Sequence, residues 1–229
     1  MYTNHENVQT PSYYEYVAQD SQNSATLKTQ IFESMKQLEG WCSEKKASIL
    51  IDYILTVKPD KIVEIGVFGG KSLIPCAMAL KANNRGKIYG IDPWDLNASI
   101  QGMLNTNNIS WWSSINHENI RRGLLGKIDQ FDLKNRVELI QTTSQNANPI
   151  QDIDILHLDG NHSSNFSYTD IIKWVPLVKV GGLILFNDMN WVENEVLTTA
   201  QAIEWLNTNC HKIAEFNQFG EDWGIWVKP

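Results

Sequence analysis

Two aspartates in this sequence are placed where they could hold a metal ion together. Asp159 ends the apolar run DILHLD, and Asp188 ends LILFND. Short apolar runs that end in Gly or Asp are typical of buried strands in a parallel sheet, and the carboxyl ends of such strands meet at one edge. Two carboxylates at that edge would supply the hard oxygen ligands that Mg²⁺ or Mn²⁺ prefers. The alternative is that either acid caps a helix.

A glycine-rich segment, IVEIGVFGGKS at residues 62–72, lies earlier in the chain. Its glycines, Gly66, Gly69 and Gly70, fall where a strand turns into a helix. The backbone could approach a ligand closely there, or the glycines could simply make a tight turn. Glu64 lies inside the apolar strand, where a carboxylate is expensive to bury unless it is hydrogen-bonded. A ligand amine or hydroxyl could supply that hydrogen bond.

Asp92 ends the next apolar run, KIYGID, and follows Gly66 by 92 − 66 = 26 residues. An acidic residue at a similar distance binds the ribose hydroxyls in dinucleotide-binding folds, although a solvated carboxylate at a strand end is the alternative. The glycine pattern differs from the G-x-G-x-x-G that seats a pyrophosphate, because Glu64 occupies its first position. An acid aimed into the pocket opposes a diphosphate and suits a ligand that carries an ammonium and a sulfonium.

The elements that must position these residues alternate along the chain. From Lys61 onward, five short apolar runs are separated by helical stretches, and two closing runs, KIAEF and WGIWV, flank a turn. This pattern predicts an α/β fold with a doubly wound, mostly parallel sheet and an antiparallel pair at its C-terminal edge. Ligands of such folds bind beyond the carboxyl ends of the strands.

The N-terminal part and one long segment fall outside this alternation. Residues 1–25 are polar and without a period, which predicts a mobile arm or a segment that closes over a ligand. Helices are predicted over 26–38 and 44–57. The polar segment at about 95–135 is too long for an ordinary connection, so we interpret it as an inserted cap. Residues 26–229 are predicted to form a single domain.

Composition narrows the class of protein. The chain has 229 residues, of which 42% are hydrophobic and 20% are charged, as in soluble globular proteins. Its formal charge of -7 disfavours nucleic acid as a partner. The three cysteines form no CxxC pair, which fits a reducing cytoplasm. We see no leader with a basic and an apolar part, and no apolar run is long enough to span a membrane. We therefore expect no membrane partner.

The glycine segment EIGVFGGKS, Asp92 and the later segment TTSQNA together resemble class I S-adenosylmethionine-dependent methyltransferases. Within that family they are similar to the metal-dependent O-methyltransferases of the catechol and sugar or natural-product type, over about residues 44–190. The resemblance implies a Rossmann-like methyltransferase fold with a seven-stranded sheet and S-adenosylmethionine as cofactor. The implied cofactor-binding residues are Glu64, Gly66, Gly69, Gly70, Ser72, Asp92, Ser144 and Gln145.

The same resemblance assigns parts of the cofactor to individual residues. Ser72 falls where a hydroxyl contacts the carboxylate of the methionine part, and Asp92 falls on the acid that binds the ribose. Ser144 and Gln145 fall where the catechol-type enzymes contact adenine.

Asp159 and Asp188 fall on the metal-binding acids of the family, which implies Mg²⁺ or Mn²⁺ as a second cofactor. The family usually has an Asn directly after the second acid, but this chain has Met189 and only then Asn190. Three explanations remain open. Asn190 reaches the metal through an altered turn, water takes the third position, or the site has lost its metal.

His162 follows Asp159 by three residues, where the catechol-type enzymes carry a lysine that removes the proton of the substrate hydroxyl. Histidine titrates near neutral pH and could do the same, particularly beside a metal that acidifies the hydroxyl. His162 is therefore the candidate general base, with Asp159 beside it in the catalytic group. A loop histidine is otherwise more often a surface or packing residue.

The predicted function is the transfer of a methyl group from S-adenosylmethionine to a hydroxyl of a small molecule, such as a sugar, a phenol or a natural product, with help from a divalent metal. One alternative is an NAD(P)-dependent oxidoreductase, which Glu64 disfavours. Another is a non-catalytic S-adenosylmethionine-binding or interaction module, which Met189 favours. The aromatic N-terminal arm makes a homodimer with exchanged arms conceivable.

Overall fold

The computed structural model of the protein describes residues 13–218 and 220–229. The strands, numbered in chain order, are β1 (Lys61–Ile65), β2 (Lys87–Ile91), β3 (Val137–Ile140), β4 (Ile153–Leu158), β5 (Val178–Asn187), β6 (Val192–Glu193), β7 (Val196–Leu197), β8 (His211–Phe216) and β9 (Trp223–Val227). The helices are α1 (Tyr13–Met35), α2 (Glu44–Val57), α3 (Leu73–Ala82), α4 (Leu96–Ile100), α5 (Thr106–Ser114), α6 (His117–Gln130), α7 (Ser164–Trp174) and α8 (Ala200–Asn209).

Seven strands form one sheet in the order β3-β2-β1-β4-β5-β9-β8. Strands β1 to β5 run parallel to one another, whereas β9 is antiparallel to both β5 and β8. The predicted fold is therefore confirmed, including the antiparallel C-terminal edge. The strand order reverses between β1 and β4, and doubly wound folds bind their ligands at this switch point.

Both faces of the sheet are covered, which explains why the strands read as continuous apolar runs. In β1, Ile62 packs into one buried cluster with residues of α2 and α3, while the next residue, Val63, packs into a second cluster with residues of α7 and α8. Trp174 at the end of α7 is fully buried in this second cluster. The sheet is thereby held between two helical layers, with its carboxyl edge left open.

Helix α2 has the predicted bounds, 44–57, and its ends have clear physical causes. The Ser43 hydroxyl oxygen accepts a hydrogen bond from the backbone N–H of Lys46 at 3.0 Å, which caps the first turn. Lys58 adopts a left-handed conformation with φ 54°, and Pro59 follows it. Proline cannot continue a helix, so α2 ends there.

Helix α1 differs from the prediction of 26–38, because it begins at Tyr13 and ends at Met35. The segment from residue 12 to residue 39 contains neither Pro nor Gly, so the backbone can stay helical although its first half lacks an apolar period. The predicted arm over 1–25 thus overlaps this helix, and its first twelve residues lie outside the described part of the chain.

The segment at 95–135 contains three helices, α4, α5 and α6. Their first turns are capped by side-chain oxygens of Asp95, Asn105 and Asn116, each of which accepts a backbone N–H. The segment is therefore ordered helical structure. No helix within residues 13–218 and 220–229 is long and apolar enough to cross a lipid bilayer.

Candidate active site

A cavity of about 720 Å³ opens at the carboxyl ends of the central strands. Its volume lies in the range of small-molecule sites. Of the residues proposed from the sequence, the cavity is lined by Gly66, Ser72, Asp92, Ser144, Gln145, Asp159, His162 and Asp188. Glu64, Gly69, Gly70 and Asn190 are not among its lining residues. Most of the predicted positions thus meet in one place.

Gly66 has a left-handed backbone with φ +81°, which is favourable for glycine. A Cβ at this position would lie 1.9 Å from the carbonyl oxygen of Asp159, so no larger residue fits. The close approach joins the end of β1 to the end of β4, because the Asp159 N–H also donates to the Ile65 carbonyl at 2.8 Å. The glycine therefore serves the packing of two strand ends and leaves bare backbone at the cavity.

Asp92 shapes the glycine loop with its carboxylate. One oxygen, Oδ2, accepts the backbone N–H groups of Val67 and Phe68, each at 2.9 Å. The other oxygen, Oδ1, accepts the N–H of Trp94 at 2.7 Å. Burial raises the pKa of Asp92, and the three N–H donors limit the rise. Asp92 thus keeps only part of its acceptor capacity for a ligand in the cavity.

Glu64 corrects an expectation, because its carboxylate is fully buried and does not point into the cavity. The hydroxyl of Ser72 donates to Glu64 Oε1 at 2.6 Å, so a side chain of the protein supplies the hydrogen bond expected from a ligand. Glu64 Oε2 lies 3.5 Å from Nδ1 of His157. The acid therefore acts behind the cavity wall, where it orients Ser72.

Gly69 and Gly70 likewise serve packing. A Cβ on Gly69 would lie 2.5 Å from the Glu39 carbonyl oxygen, and a Cβ on Gly70 would lie 2.4 Å from Leu124 of α6. Neither glycine is among the residues that line the cavity, so the structure supports a packing role for both positions.

Lys46 is a buried cation that sequence reasoning missed. Only 2% of it is exposed, and its ammonium contacts His157 Nε2 at 2.8 Å and donates to Asn187 Oδ1 at 2.6 Å. His157 Nε2 accepts this hydrogen bond, which directs the N–H of Nδ1 toward Glu64. A signal was present in the sequence, since Lys46 precedes Leu50 by one turn on the apolar face of α2.

Asp159, His162 and Asp188 form the group that could hold a metal, since one ligand atom from each lies within 4.8 Å of the others. His162 Nε2 lies 2.9 Å from Asp188 Oδ2 and 3.7 Å from Asp159 Oδ1. The two carboxylate oxygens suit a divalent cation, and the imidazole nitrogen could either join them as a ligand or act as a base beside them. The donor chemistry of these residues therefore fits a metal site.

The charges in this group shift each other's titration. Burial alone would lower the pKa of His162, but the hydrogen bonds and charges of Asp159 and Asp188 outweigh it and raise the pKa to about 9. Burial would raise the pKa of Asp159, but the hydrogen bond of His162 and the charge of Lys46 hold that pKa below its usual range. The Asp159 carboxylate therefore stays ionised at neutral pH and favours a cation beside it.

Asn190 is not among the residues that line the cavity, which disfavours the first explanation of the altered ligand pattern. Its backbone N–H and its side-chain amide both donate to the carboxylate of Asp222, at 2.9 and 2.8 Å. Asp188 has a left-handed backbone with φ 50°, and the next residue along the chain that lines the cavity is Trp191. Met189 is buried, 5% exposed, in the core between α7 and α8.

The Ser144–Gln145 loop is held in place from α7. Asp170 Oδ1 accepts the Ser144 hydroxyl at 2.5 Å and the Gln145 side-chain amide at 2.9 Å. Lys173 donates to the backbone carbonyls of Ser144, Gln145 and Ala147. Burial raises the pKa of Asp170 to about 7, against the opposing hydrogen bond from Ser144. Asp170 also lines the cavity, and sequence reasoning did not single it out.

An aromatic cluster, formed by Trp41, Phe68, Trp111 and Trp112, lines the cavity beside the glycine loop. The ring centroids of neighbouring members lie 5.0–6.3 Å apart. Trp41 is 64% exposed and Trp111 is 41% exposed. Because α5 contributes two of the four rings, the segment at 95–135 supplies part of the cavity wall.

Known proteins resemble this chain in sequence and in fold. The family model described as "Methyltransferase domain" matches residues 63–189. A caffeoyl-CoA O-methyltransferase of Stellaria longipes is 25% identical over 173 residues, which cover 75% of this chain and 64% of that relative. The chain thus matches somewhat less than two thirds of the relative's length.

Solved structures share the fold at low sequence identity. One is the O-methyltransferase TomG of Streptomyces achromogenes in complex with S-adenosylmethionine, which superposes with a TM-score of 0.58 at 14% identity. The superposition covers 90% of this chain and 89% of the TomG chain. The S-adenosylhomocysteine-bound methyltransferase PaMTH1 of Podospora anserina gives a TM-score of 0.57 at 13% identity, with 97% and 99% covered. Since the family model matches more than half of the sequence, the chain belongs to the methyltransferase domain family.

Proposed function

We propose that this protein transfers a methyl group from S-adenosylmethionine to a hydroxyl of a small molecule. The observation that carries the proposal is that the residues suited to the cofactor and the Asp159–His162–Asp188 group line the same cavity at the switch point of the sheet. The TomG structure, with the same fold and S-adenosylmethionine bound, and the O-methyltransferase relative support it.

The cofactor would be held by four features of the cavity. The bare backbone at Gly66 permits close approach, Asp92 accepts a ribose hydroxyl, and the Ser144–Gln145 loop faces adenine. The Ser72 hydroxyl hydrogen is committed to Glu64, so its oxygen is free to accept a hydrogen bond. We therefore assign Ser72 to the ammonium of the methionine part and not to its carboxylate.

Asp159 and Asp188 would hold a divalent cation, and we leave Asn190 out of the ligand set because it does not line the cavity. Such a cation, Mg²⁺ or Mn²⁺, orients an acceptor hydroxyl and makes it more acidic. The two carboxylates that keep a proton on His162 are the same groups that would bind the cation. A bound cation would therefore favour the neutral form of His162, which can accept a proton.

His162 is the proposed general base. The acceptor oxygen attacks the methyl carbon while its proton passes to Nε2 of His162, and the bond between carbon and sulfur breaks. The products are the methyl ether, S-adenosylhomocysteine and one proton. The sulfonium is already activated, so the protein contributes mainly the alignment of the two reactants and the removal of the proton.

A labelled-methyl assay tests the reaction. The protein is incubated with S-adenosylmethionine labelled in its methyl group, Mg²⁺ and a panel of catechols, phenols and hydroxylated sugars, and the products are identified by mass spectrometry. We expect label on a hydroxyl oxygen of one acceptor class. The double variant Asp159→Asn/Asp188→Asn should lose this transfer, whereas Asp129→Asn, outside the cavity, should keep it. Transfer of label to nitrogen or carbon alone would contradict O-methylation.

A further inference from the structure

His117 is a buried side chain at the cavity whose ring nitrogen lacks a partner. It is the first residue of α6 and only 9% exposed. Within residues 13–218 and 220–229, four buried side-chain atoms have no hydrogen-bond partner: Glu64 Oε2, His117 Nε2, His157 Nδ1 and Trp174 Nε1. Of these four residues, His117 is the one that lines the cavity. A buried polar atom without a partner is costly, so a ligand in the cavity is the natural partner for Nε2.

The orientation of this ring is fixed by its neighbours. His117 stacks on Trp112 with ring centroids 5.9 Å apart and an angle of 9° between the planes. Trp112 in turn meets Phe68 of the glycine loop edge to face, at 5.8 Å. The stack therefore ties His117 to the loop that Asp92 organises.

Asp92 leaves a ribose incompletely bound. An ionised carboxylate offers about four acceptor positions. Three of them are taken by the N–H groups of Val67, Phe68 and Trp94. Asp92 can therefore accept a hydrogen bond from one ribose hydroxyl, while the neighbouring hydroxyl of the same sugar needs another partner. Burial raises the pKa of Asp92, and the nearby imidazole of His117 is among the groups that oppose this rise.

We propose that His117 is a cofactor-binding residue, whose Nε2 forms a hydrogen bond with the ribose hydroxyl that Asp92 does not bind. The inference rests on the proposed function, since it takes the cofactor of that reaction as the ligand. The 95–135 segment would then bind the ribose of the cofactor in addition to forming part of the cavity wall.

The test is a set of calorimetric titrations with S-adenosylhomocysteine and its 2′-deoxy and 3′-deoxy counterparts. The variant His117→Phe keeps a ring that can stack on Trp112 but removes the nitrogen. We expect it to bind S-adenosylhomocysteine roughly 3- to 10-fold more weakly than the wild type, the range of one lost hydrogen bond. For one of the two deoxy ligands, the variant and the wild type should bind equally.

Each other outcome is decisive. Equal affinity of the variant and the wild type for all three ligands would overturn the role of His117 and leave the proposed function intact. Equal weakening with all three ligands would also overturn it, because the ring would then only support the loop. If the wild type fails to bind S-adenosylhomocysteine, the proposed function itself fails. His211→Phe, on an exposed strand outside the cavity, is the matched control, and His117→Gln replaces the Phe variant if that variant does not fold.

Discussion

At the scale of single residues, the position of His162 between two carboxylates determines what it can contribute. Its Nε2 lies 2.9 Å from Asp188 and 3.7 Å from Asp159, and its side chain is only 12% exposed. The carboxylates orient the ring, while Trp191 packs beside it with ring centroids 5.3 Å apart. A ring held in this way can take a proton only at a defined point of the cavity.

Replacing His162 by Ala should lower kcat by about 10² to 10³, near the usual range for loss of a general base. The dissociation constant of S-adenosylhomocysteine should change little, because none of the residues proposed to hold the cofactor is altered. Steady-state kinetics and calorimetry measure the two effects, with His211→Ala as the control. A His162→Ala variant with the wild-type rate would make His162 an ordinary loop histidine.

Asp170 predicts a pH dependence of stability. In the folded protein its pKa is raised to about 7, whereas in the unfolded chain it is near the ordinary value of about 3.9. Between these values the folded state binds more protons than the unfolded state, so the contribution of Asp170 to stability is present below the unfolded pKa and is lost as pH rises through about 7.

The variant Asp170→Asn keeps an oxygen that can accept from Ser144 and Gln145 but cannot ionise. The free energy of unfolding of this variant, minus that of the wild type, should therefore increase from pH 5 to pH 8. Urea unfolding at both pH values measures this difference. Asp129→Asn, on the exposed side of α6, should follow the wild type. A difference between Asp170→Asn and the wild type that stays constant with pH would refute the argument.

At the scale of elements, the turn between β1 and α3 brings the strand ends together. Gly66 lies so close to the end of β4 that a Cβ would be 1.9 Å from the Asp159 carbonyl oxygen. Gly181 in β5 has a similar backbone, with φ +77°, but a Cβ on it would meet no atom within 4 Å. Substitutions at these two glycines therefore distinguish the cost of backbone strain, which both share, from the cost of close packing, which only Gly66 has.

Gly181→Ala should cost about 1 kcal/mol of stability, which is the strain of a left-handed residue. Gly66→Ala should cost clearly more, because one of the two strand ends must move, and it should also abolish binding of S-adenosylhomocysteine. Chemical denaturation and calorimetry on both variants measure these effects. Equal costs and intact binding in Gly66→Ala would show that the approach of the strand ends is not required.

The elements also show how far the sequence could be interpreted. The seven strands of the main sheet and α2 were predicted because apolar runs and a regular apolar period leave a clear pattern, whereas the short pair β6–β7 was not predicted. The helices α4 and α5 left no such pattern, since neither has a fully buried residue. The start of α1 at Tyr13 depends on the absence of helix-breaking residues, which an apolar period does not reveal.

Site residues at strand ends were predictable for the same reason, because strand ends converge wherever the sheet is parallel. Residues contributed by helices were harder to predict, because a charged residue on an apolar helix face does not reveal its distant partners. Lys46 lies 141 residues from Asn187, its hydrogen-bond partner, and nothing local in the sequence joins the two. The hydrogen bond of the Asn190 backbone N–H to Asp222, which is 32 residues away, was likewise not visible in the local sequence.

At the scale of the whole molecule, the cavity combines negative groups with a buried cation. Asp92, Asp159 and Asp188 line it, and the -7 formal charge of the chain adds to their field. The ammonium of Lys46 offsets part of this negative charge. Such a cavity favours a ligand with an ammonium and a sulfonium and opposes the diphosphate of NAD.

The most direct measurement is therefore a calorimetric titration of the wild-type protein with S-adenosylhomocysteine and, separately, with NAD. It needs no knowledge of the acceptor. We predict that S-adenosylhomocysteine binds and NAD does not, and that Asp92→Ala weakens the binding of S-adenosylhomocysteine several-fold by removing a charge-assisted hydrogen bond to the ribose. Binding of NAD that Asp92→Ala leaves unchanged, with no binding of S-adenosylhomocysteine, would contradict the account.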